Sequence, residues 1–238
     1  MSESGVDSGE GQLSAVAGLG AVLWDMDGTL VDSERVWSIS LRDLAAHLGG
    51  ELSYPAREAM VGTNMPVSVA LMFADLGLAP DPARMAAAVE WLARRTSQLF
   101  SAEVPLRPGA GAALAAVRAA GVPCALVTNT ERQLTELALN SLGRAHFEAT
   151  VCGDEVANGK PAPDVYLRAA ELLGVPTAAT VAVEDSPTGV ASAVAAGCTV
   201  LVVAGVVPVP PGERRTFRES LVGLTPQELA TLLAKRVA

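Results

Sequence analysis

The chain has 238 residues, half of them hydrophobic, and a formal net charge of −9 at pH 7. The apolar fraction supports a globular protein with a real core and argues against an intrinsically disordered chain. The acidic balance disfavours nucleic acid or an anionic membrane as the main partner, but it is compatible with a small anionic substrate held beside a bound metal. No stretch predicts a membrane span, and the odd number of cysteines fits free thiols in a reducing cytoplasm.

The chain begins with an acidic segment rich in glycine and serine, which predicts a flexible tail over residues 1–17. Five short apolar runs rich in valine follow, and they predict strands at residues 21–25, 122–128, 149–152, 180–184 and 199–203. Helical patterns alternate with the last four runs, at residues 111–120, 131–142, 163–173 and 188–196. Apolar strands separated by single helices are typical of a parallel sheet covered on both faces. The sequence therefore predicts an α/β protein with a Rossmann-like core.

The alternation is interrupted once, over residues 34–103, where no strand pattern is present. Apolar residues at helical spacing predict three helices there, ending before Gly49, spanning residues 66–77 and beginning at Asp81. This segment is predicted to be an all-helical cap domain inserted after the first strand. Residues 18–33 and 104–238 would then form the core. The pattern T-P-Q-E at residues 225–228 resembles a capping box and predicts the start of a terminal helix.

Polar residues follow three of the predicted strands, at the point where each strand ends. They are Asp25 and Asp27 in W-D-M-D-G, Thr128 and Asn129 in L-V-T-N-T, and Glu184 and Asp185 in V-E-D-S, while Lys160 lies in the loop G-K-P-A-P-D. Because the carboxyl ends of parallel strands meet at one edge of a sheet, we expect these side chains to lie close together. Each is a common turn residue by itself, but together they indicate one site.

Four carboxylates with a hydroxyl and an ammonium group suit phosphoryl transfer. Asp25 is anionic at neutral pH and could attack phosphorus without a base, forming an aspartyl-phosphate. A hard cation such as Mg²⁺ would be held by Asp25 and Asp185 with support from Glu184. Lys160 and Thr128 would hold the remaining phosphoryl oxygens. Asp27 would protonate the leaving oxygen and then activate the water that breaks the intermediate.

Four stretches carry a family resemblance: D-M-D-G-T-L-V-D-S, L-V-T-N-T, G-K-P-A-P-D-V-Y and V-E-D-S-P-T-G-V. In order and spacing they resemble the four motifs of the haloacid dehalogenase-like hydrolase superfamily. The resemblance implies a Rossmann-like core with a helical cap, Mg²⁺ as cofactor, Asp25 as nucleophile and Asp27 as acid/base. It further implies these ligands: Thr128, Asn129 and Lys160 for the phosphate, and Asp25, Glu184, Asp185 and the backbone carbonyl of Asp27 for the metal.

Several functions are compatible with this resemblance. The favoured one is a cytoplasmic phosphatase, monomeric or homodimeric, for a small phosphorylated metabolite such as a sugar or polyol phosphate. A phosphomutase resembling β-phosphoglucomutase would share all four motifs, but Trp37 and Met65 stand where those enzymes have a histidine and an arginine. A dehalogenase of the superfamily lacks the second carboxylate and needs no metal, so Asp27 argues against it. Magnesium-dependent turnover would exclude a catalytically silent interaction protein.

Overall fold

The computed structural model describes residues 16–100 and 104–234. Its strands are β1 (Ala21–Trp24), β2 (Cys124–Val127), β3 (Ala149–Val151), β4 (Thr180–Glu184), β5 (Thr199–Val203) and β6 (Arg215–Arg218). Its α-helices are α1 (Glu34–His47), α2 (Tyr54–Ala59), α3 (Met65–Asp75), α4 (Pro82–Phe100), α5 (Ala110–Ala119), α6 (Arg132–Leu142), α7 (Asp164–Leu173), α8 (Pro187–Ala196) and α9 (Pro226–Ala234). The strands form one parallel sheet in the order β3-β2-β1-β4-β5-β6.

Both faces of the sheet are covered by helices. Successive residues along a strand point to opposite faces, so each strand contributes side chains to two cores. In β1, Val22 and Trp24 belong to a core shared with α5, α6 and α9. Ala21 and Leu23 belong to a second core, shared with α7 and α8. This arrangement explains why the strands are apolar throughout, and it confirms the predicted Rossmann-like α/β class.

The central strand β1 lies between β2 and β4. The chain passes from β1 to β2 and β3 on one side, then crosses back to β4 on the other. Ligands of open parallel sheets bind at such a point, beyond the carboxyl ends of the strands. Trp24 pairs with Leu126 on one side and Val183 on the other. Asp25 and Glu184, each one residue further on, therefore lie at the same edge.

The cap consists of α1 to α4, which lie between β1 and β2 in the chain. It has an apolar core of its own, which includes Leu44, Val69, Met72, Phe73 and Leu92. The predicted all-helical insertion is confirmed, and α2 is an additional short helix. Most of the predicted tail, residues 1–15, lies outside the described residues, as do the last three residues of the predicted cap, 101–103.

The predicted terminal helix is present as α9. Helix α9 begins at Pro226, where the Thr225 hydroxyl accepts a hydrogen bond of 3.2 Å from the backbone N–H of Glu228. The carboxylate of Glu228 pairs with Arg218.

Strand β6 was not predicted, because R-T-F-R at the sheet edge lacks the apolar run of the other strands. None of the helices in the described residues has the length and apolar character needed to cross a membrane.

Candidate active site

Three acidic side chains come together at the carboxyl ends of β1 and β4. Asp25 directly follows β1, Glu184 ends β4, and Asp185 is the next residue. One carboxylate oxygen from each lies within 4.8 Å of the others, and all three residues are buried. The structure thus brings together three of the four acids that the sequence placed at this edge.

Lys160 lies between two of these acids. Its Nζ donates to Asp25 Oδ1 and to Glu184 Oε1, both at 2.6 Å, and to the carbonyl of Val127 at 3.0 Å. Asn129 fixes the Lys160 backbone, since its Oδ1 accepts from the Lys160 N–H at 2.7 Å and its Nδ2 donates to the Lys160 carbonyl at 3.1 Å. Burial opposes the charge on Lys160, but the two carboxylates outweigh it and raise its pKa.

Glu184 has both carboxylate oxygens in hydrogen bonds with the protein. Oε1 accepts from Lys160 and from the hydroxyl of Tyr166, the latter at 2.8 Å. Oε2 accepts from the backbone N–H groups of Asp185 and Ser186, at 3.1 and 3.3 Å, and from the Ser186 hydroxyl at 3.2 Å. Glu184 therefore orients Lys160 and the loop that carries Asp185. Tyr166 was not singled out by the sequence, because a buried tyrosine on a helix matches an ordinary core pattern.

The site carries more negative charge than Lys160 neutralises. Burial and the neighbouring Glu184 raise the pKa of Asp25 to about 7, although Lys160 acts in the opposite direction. Burial, Asp25 and Glu184 raise the pKa of Asp185 well above its usual value. Asp25 Oδ2 is buried and has no hydrogen-bond partner among the described residues. A buried acceptor without a donor, set among further carboxylates, fits a hard oxygen-seeking cation such as Mg²⁺.

Gly28 allows Asp185 to approach the first motif. It has a φ of +82°, and a Cβ atom at this position would lie 2.2 Å from Asp185 Oδ2. The hydroxyl of Thr29 donates to Asp185 Oδ1 at 3.3 Å. A side chain at position 28 would therefore displace one of the candidate metal ligands.

Asp27 has an environment different from that of the buried acids. Its carboxylate accepts hydrogen bonds from Ser33 at 2.6 Å, Thr130 at 2.7 Å, Trp37 Nε1 at 2.9 Å and Thr128 at 3.3 Å. Thr128, which we assigned to the phosphate, therefore also holds Asp27. Trp37 lies on the cap helix α1, so the cap contributes directly to the position of Asp27.

The residues around Asp27 extend the predicted site. Ser33 and Thr130 lie within the first two motifs but were not assigned roles from the sequence. Trp37 had no assigned role either, since a tryptophan at helical spacing is typical of a core. Its bond to Asp27 depends on how the cap packs on the sheet, which no local pattern encodes.

The cap covers the strand ends and closes a pocket over them. The side chain of Asn129 donates to the carbonyl of Gly62 in the cap at 2.8 Å, and the hydroxyl of Thr188 donates to that of Val61 at 3.4 Å. Pocket residues from the core include Asp25, Asp27, Thr128, Lys160 and Asp185, and those from the cap include Glu34, Trp37, Leu41, Arg57, Met60 and Thr63. The acids and the cap residues therefore line one pocket.

Comparison with known proteins identifies a family. A model described as haloacid dehalogenase-like hydrolase matches residues 19–197. Protein CbbY of Rhodobacter capsulatus is 35% identical over 191 residues, which cover 77% of this chain and 84% of that protein. Hexitol phosphatase A of Escherichia coli is 31% identical over 192 residues, which cover 76% of this chain and 81% of that protein.

The fold also matches a solved structure. β-Phosphoglucomutase from Clostridium difficile superposes with a TM-score of 0.82, covering 92% of this chain and 99% of that one. The sequences are 17% identical, so this likeness concerns the fold alone.

Proposed function

Because the chain belongs to the haloacid dehalogenase-like hydrolase family and is a phosphoric monoester hydrolase, we propose that it hydrolyses sugar or polyol phosphates through an aspartyl-phosphate. The observation that carries this proposal is the environment of Asp25. One of its oxygens is held by Lys160 at 2.6 Å, and the other is buried without a donor among the described residues. Asp25 is thus an oriented carboxylate beside a candidate cation site, as an attack on an anionic phosphate requires.

The cofactor in this proposal is Mg²⁺. Asp25, Asp185 and the backbone carbonyl of Asp27 would hold it, with Glu184 in support through its bond to Lys160. When bound, the cation offsets the negative charge of the phosphoryl group and of the attacking carboxylate. Lys160 and Thr128 would orient the remaining phosphoryl oxygens by exchanging hydrogen bonds that they now donate to protein oxygens. Both side-chain N–H groups of Asn129 are held by the carbonyls of Gly62 and Lys160, so its contact with the phosphate would come from its backbone N–H.

Asp25 and Asp27 divide the reaction between them. A carboxylate oxygen of Asp25 forms a bond to phosphorus as the ester P–O bond breaks, and Asp27 gives a proton to the departing alcohol oxygen. Asp27 then takes a proton from water, whose oxygen attacks the phosphorus and releases inorganic phosphate and free Asp25. Ser33, Thr130 and Trp37 orient the Asp27 side chain, and the Thr128 hydroxyl must turn away from Asp27 when Asp27 carries the proton.

Asp27→Asn should lower kcat by about 10²–10⁴-fold, the range typical of a lost general acid/base. The amide keeps an oxygen that accepts hydrogen bonds, but it cannot transfer the proton. Steady-state phosphate release measures the loss, and intact-protein mass spectrometry after acid quench tests for accumulated aspartyl-phosphate. Asp32→Asn is the matched control, since Asp32 is exposed and does not line the pocket. A kcat for Asp27→Asn within threefold or so of the control would contradict the role given to Asp27.

Hydrolysis, and not phosphoryl transfer to a second sugar position, is the expected outcome. Trp37 stands where the mutase resemblance would place a histidine, and its indole nitrogen donates to Asp27 at 2.9 Å. An indole N–H is a donor only, so it cannot accept a proton. Met65, at the position expected for the mutase arginine, belongs to the apolar core of the cap. Neither residue supplies the groups on which the mutase alternative depends.

The test is to incubate the enzyme with β-glucose 1-phosphate and a trace of the bisphosphate. Inorganic phosphate should form faster than glucose 6-phosphate. The reverse order would establish the mutase alternative and contradict the phosphatase proposal. A wider screen of phosphorylated metabolites with a phosphate readout would rank the substrates.

We propose a cytoplasmic location, which the state of the cysteine thiols supports. Cys124 and Cys152 are buried thiols outside any disulfide. Burial raises the pKa of Cys124 to about 12 and that of Cys152 to about 11, so both are unreactive at neutral pH. Buried thiols outside disulfides are in keeping with the reducing cytoplasm expected from the sequence.

A further inference from the structure

The cap presents an ion pair to the pocket. Glu34 is the first residue of α1, Arg57 lies in α2, and Arg57 Nη2 is 2.5 Å from Glu34 Oε1. Ser38 donates to the same oxygen at 2.9 Å and accepts from Arg57 Nε at 3.4 Å. The Arg57 side chain is only 16% exposed and that of Glu34 34%, so the pair is held against the cap and not free in solvent. Both residues line the pocket.

The cations of the pocket are already paired. Among the described residues that line it, Lys160 and Arg57 are the only lysine or arginine side chains. Lys160 is bound to Asp25 and Glu184, and Arg57 is bound to Glu34. A second anionic group on the substrate would therefore meet a neutralised guanidinium and the negative charge of Glu34. Breaking that ion pair to accommodate it would leave Glu34 without its partner.

The rest of the cap wall suits a neutral, hydroxylated carbon chain. The hydroxyls of Thr63 and Ser68 lie 2.8 Å apart on the pocket wall, and Thr63 also donates to the Met60 carbonyl at 2.9 Å. Leu41 and Val61 add apolar surface beside them. A guanidinium, a carboxylate and two hydroxyls together offer both donors and acceptors, which is what vicinal hydroxyl groups require.

We propose that the Glu34–Arg57 pair selects phosphate monoesters whose distal end is uncharged and hydroxylated, and discriminates against those with a second anionic group. This inference rests on the proposed phosphatase function and specifies its substrate class. Glu34 has the decisive part, since it cancels the one cationic group that the cap presents to the described pocket. Without the charge of Glu34, the same wall would favour an acidic distal group.

The test uses two substrates that differ only in the charge of the group distal to the phosphate. Glucitol 6-phosphate and 6-phosphogluconate have the same chain length, and one ends in a primary alcohol where the other ends in a carboxylate. The wild-type enzyme should have the higher kcat/KM with glucitol 6-phosphate. Glu34→Gln retains an acceptor oxygen for Arg57 but loses the charge, so it should shift the ratio toward 6-phosphogluconate by about tenfold to a hundredfold.

The matched control is Asp43→Asn. Asp43 pairs with Arg95 at 2.7 Å on the cap, and neither residue lines the pocket. Its substrate ratio should equal that of the wild type. An unchanged ratio in Glu34→Gln, or a wild-type preference for 6-phosphogluconate, would overturn the inference.

The two proposals fail in different ways. Phosphate release from p-nitrophenyl phosphate but from neither of the two substrates would overturn the inference and leave the phosphatase function standing. No release from any phosphate ester in the presence of Mg²⁺ would overturn the proposed function itself, and with it the inference.

Discussion

Asp25→Asn should reduce phosphate release by about 10⁴–10⁶-fold, the range expected when a covalent nucleophile is lost. The amide is a much weaker nucleophile than the carboxylate. Asp27 is not expected to take over, because Ser33, Thr130 and Trp37 hold its carboxylate in the position proposed for acid/base work. Glu184 cannot take over either, since both of its oxygens are engaged by the protein and its side chain is fully buried.

The same substitution should leave the fold intact. Burial and the charge of Glu184 raise the pKa of Asp25 to about 7, so the site disfavours the ionised form and tolerates a neutral group of the same shape. Lys160 keeps its bonds to Glu184 and to the Val127 carbonyl. Thermal unfolding followed by circular dichroism should give a midpoint close to that of the wild type.

Activity and unfolding must be measured on the same preparation, with Asp32→Asn as the control. Substantial phosphate release by a folded Asp25→Asn protein would show that the covalent mechanism is wrong. Loss of activity together with loss of the folded state would instead show that Asp25 is structural, which contradicts the stability argument.

The strand ends could be predicted from the sequence because they follow from a general property of parallel sheets. Once the apolar runs are taken as strands, Asp25 and Glu184 must lie at one edge, and the pairing of Trp24 with Val183 places them there. Lys160 was harder to position, because it lies in a loop. The resemblance of its motif suggested that it binds phosphate, and the structure shows its contacts with Asp25 and Glu184.

Contacts between the cap and the core could not be predicted in this way. The bond from Trp37 to Asp27 and the bond from Asn129 to Gly62 each join residues whose distance depends on how two packed units meet. The Glu34–Arg57 pair likewise depends on the short helix α2, which is too brief to show a hydrophobic period. The candidate catalytic residues are thus encoded at the strand ends, whereas the cap side of the pocket depends on tertiary packing.

Removal of Mg²⁺ should abolish turnover, and its return should restore it. Asp25, Glu184 and Asp185 place three carboxylates within 4.8 Å, with Lys160 as the cation bound among them. Without a divalent cation, an anionic phosphate would have to approach this excess negative charge. Calcium should support turnover poorly, because its larger and more flexible coordination shell does not impose the geometry that magnesium requires.

The binding of Mg²⁺ can be measured separately from catalysis. A cation that binds only the folded state raises the unfolding midpoint, so Mg²⁺ should stabilise the wild type in a concentration-dependent manner. Asp185→Asn removes one ligand and should lose both this shift and the activity, whereas Asp32→Asn should keep both. Full turnover in excess chelator would exclude the metal assignment and return the dehalogenase alternative to consideration. A midpoint that rises equally in the wild type and in Asp185→Asn would place the cation elsewhere, because the proposed metal site depends on the Asp185 carboxylate and on its close approach to Gly28.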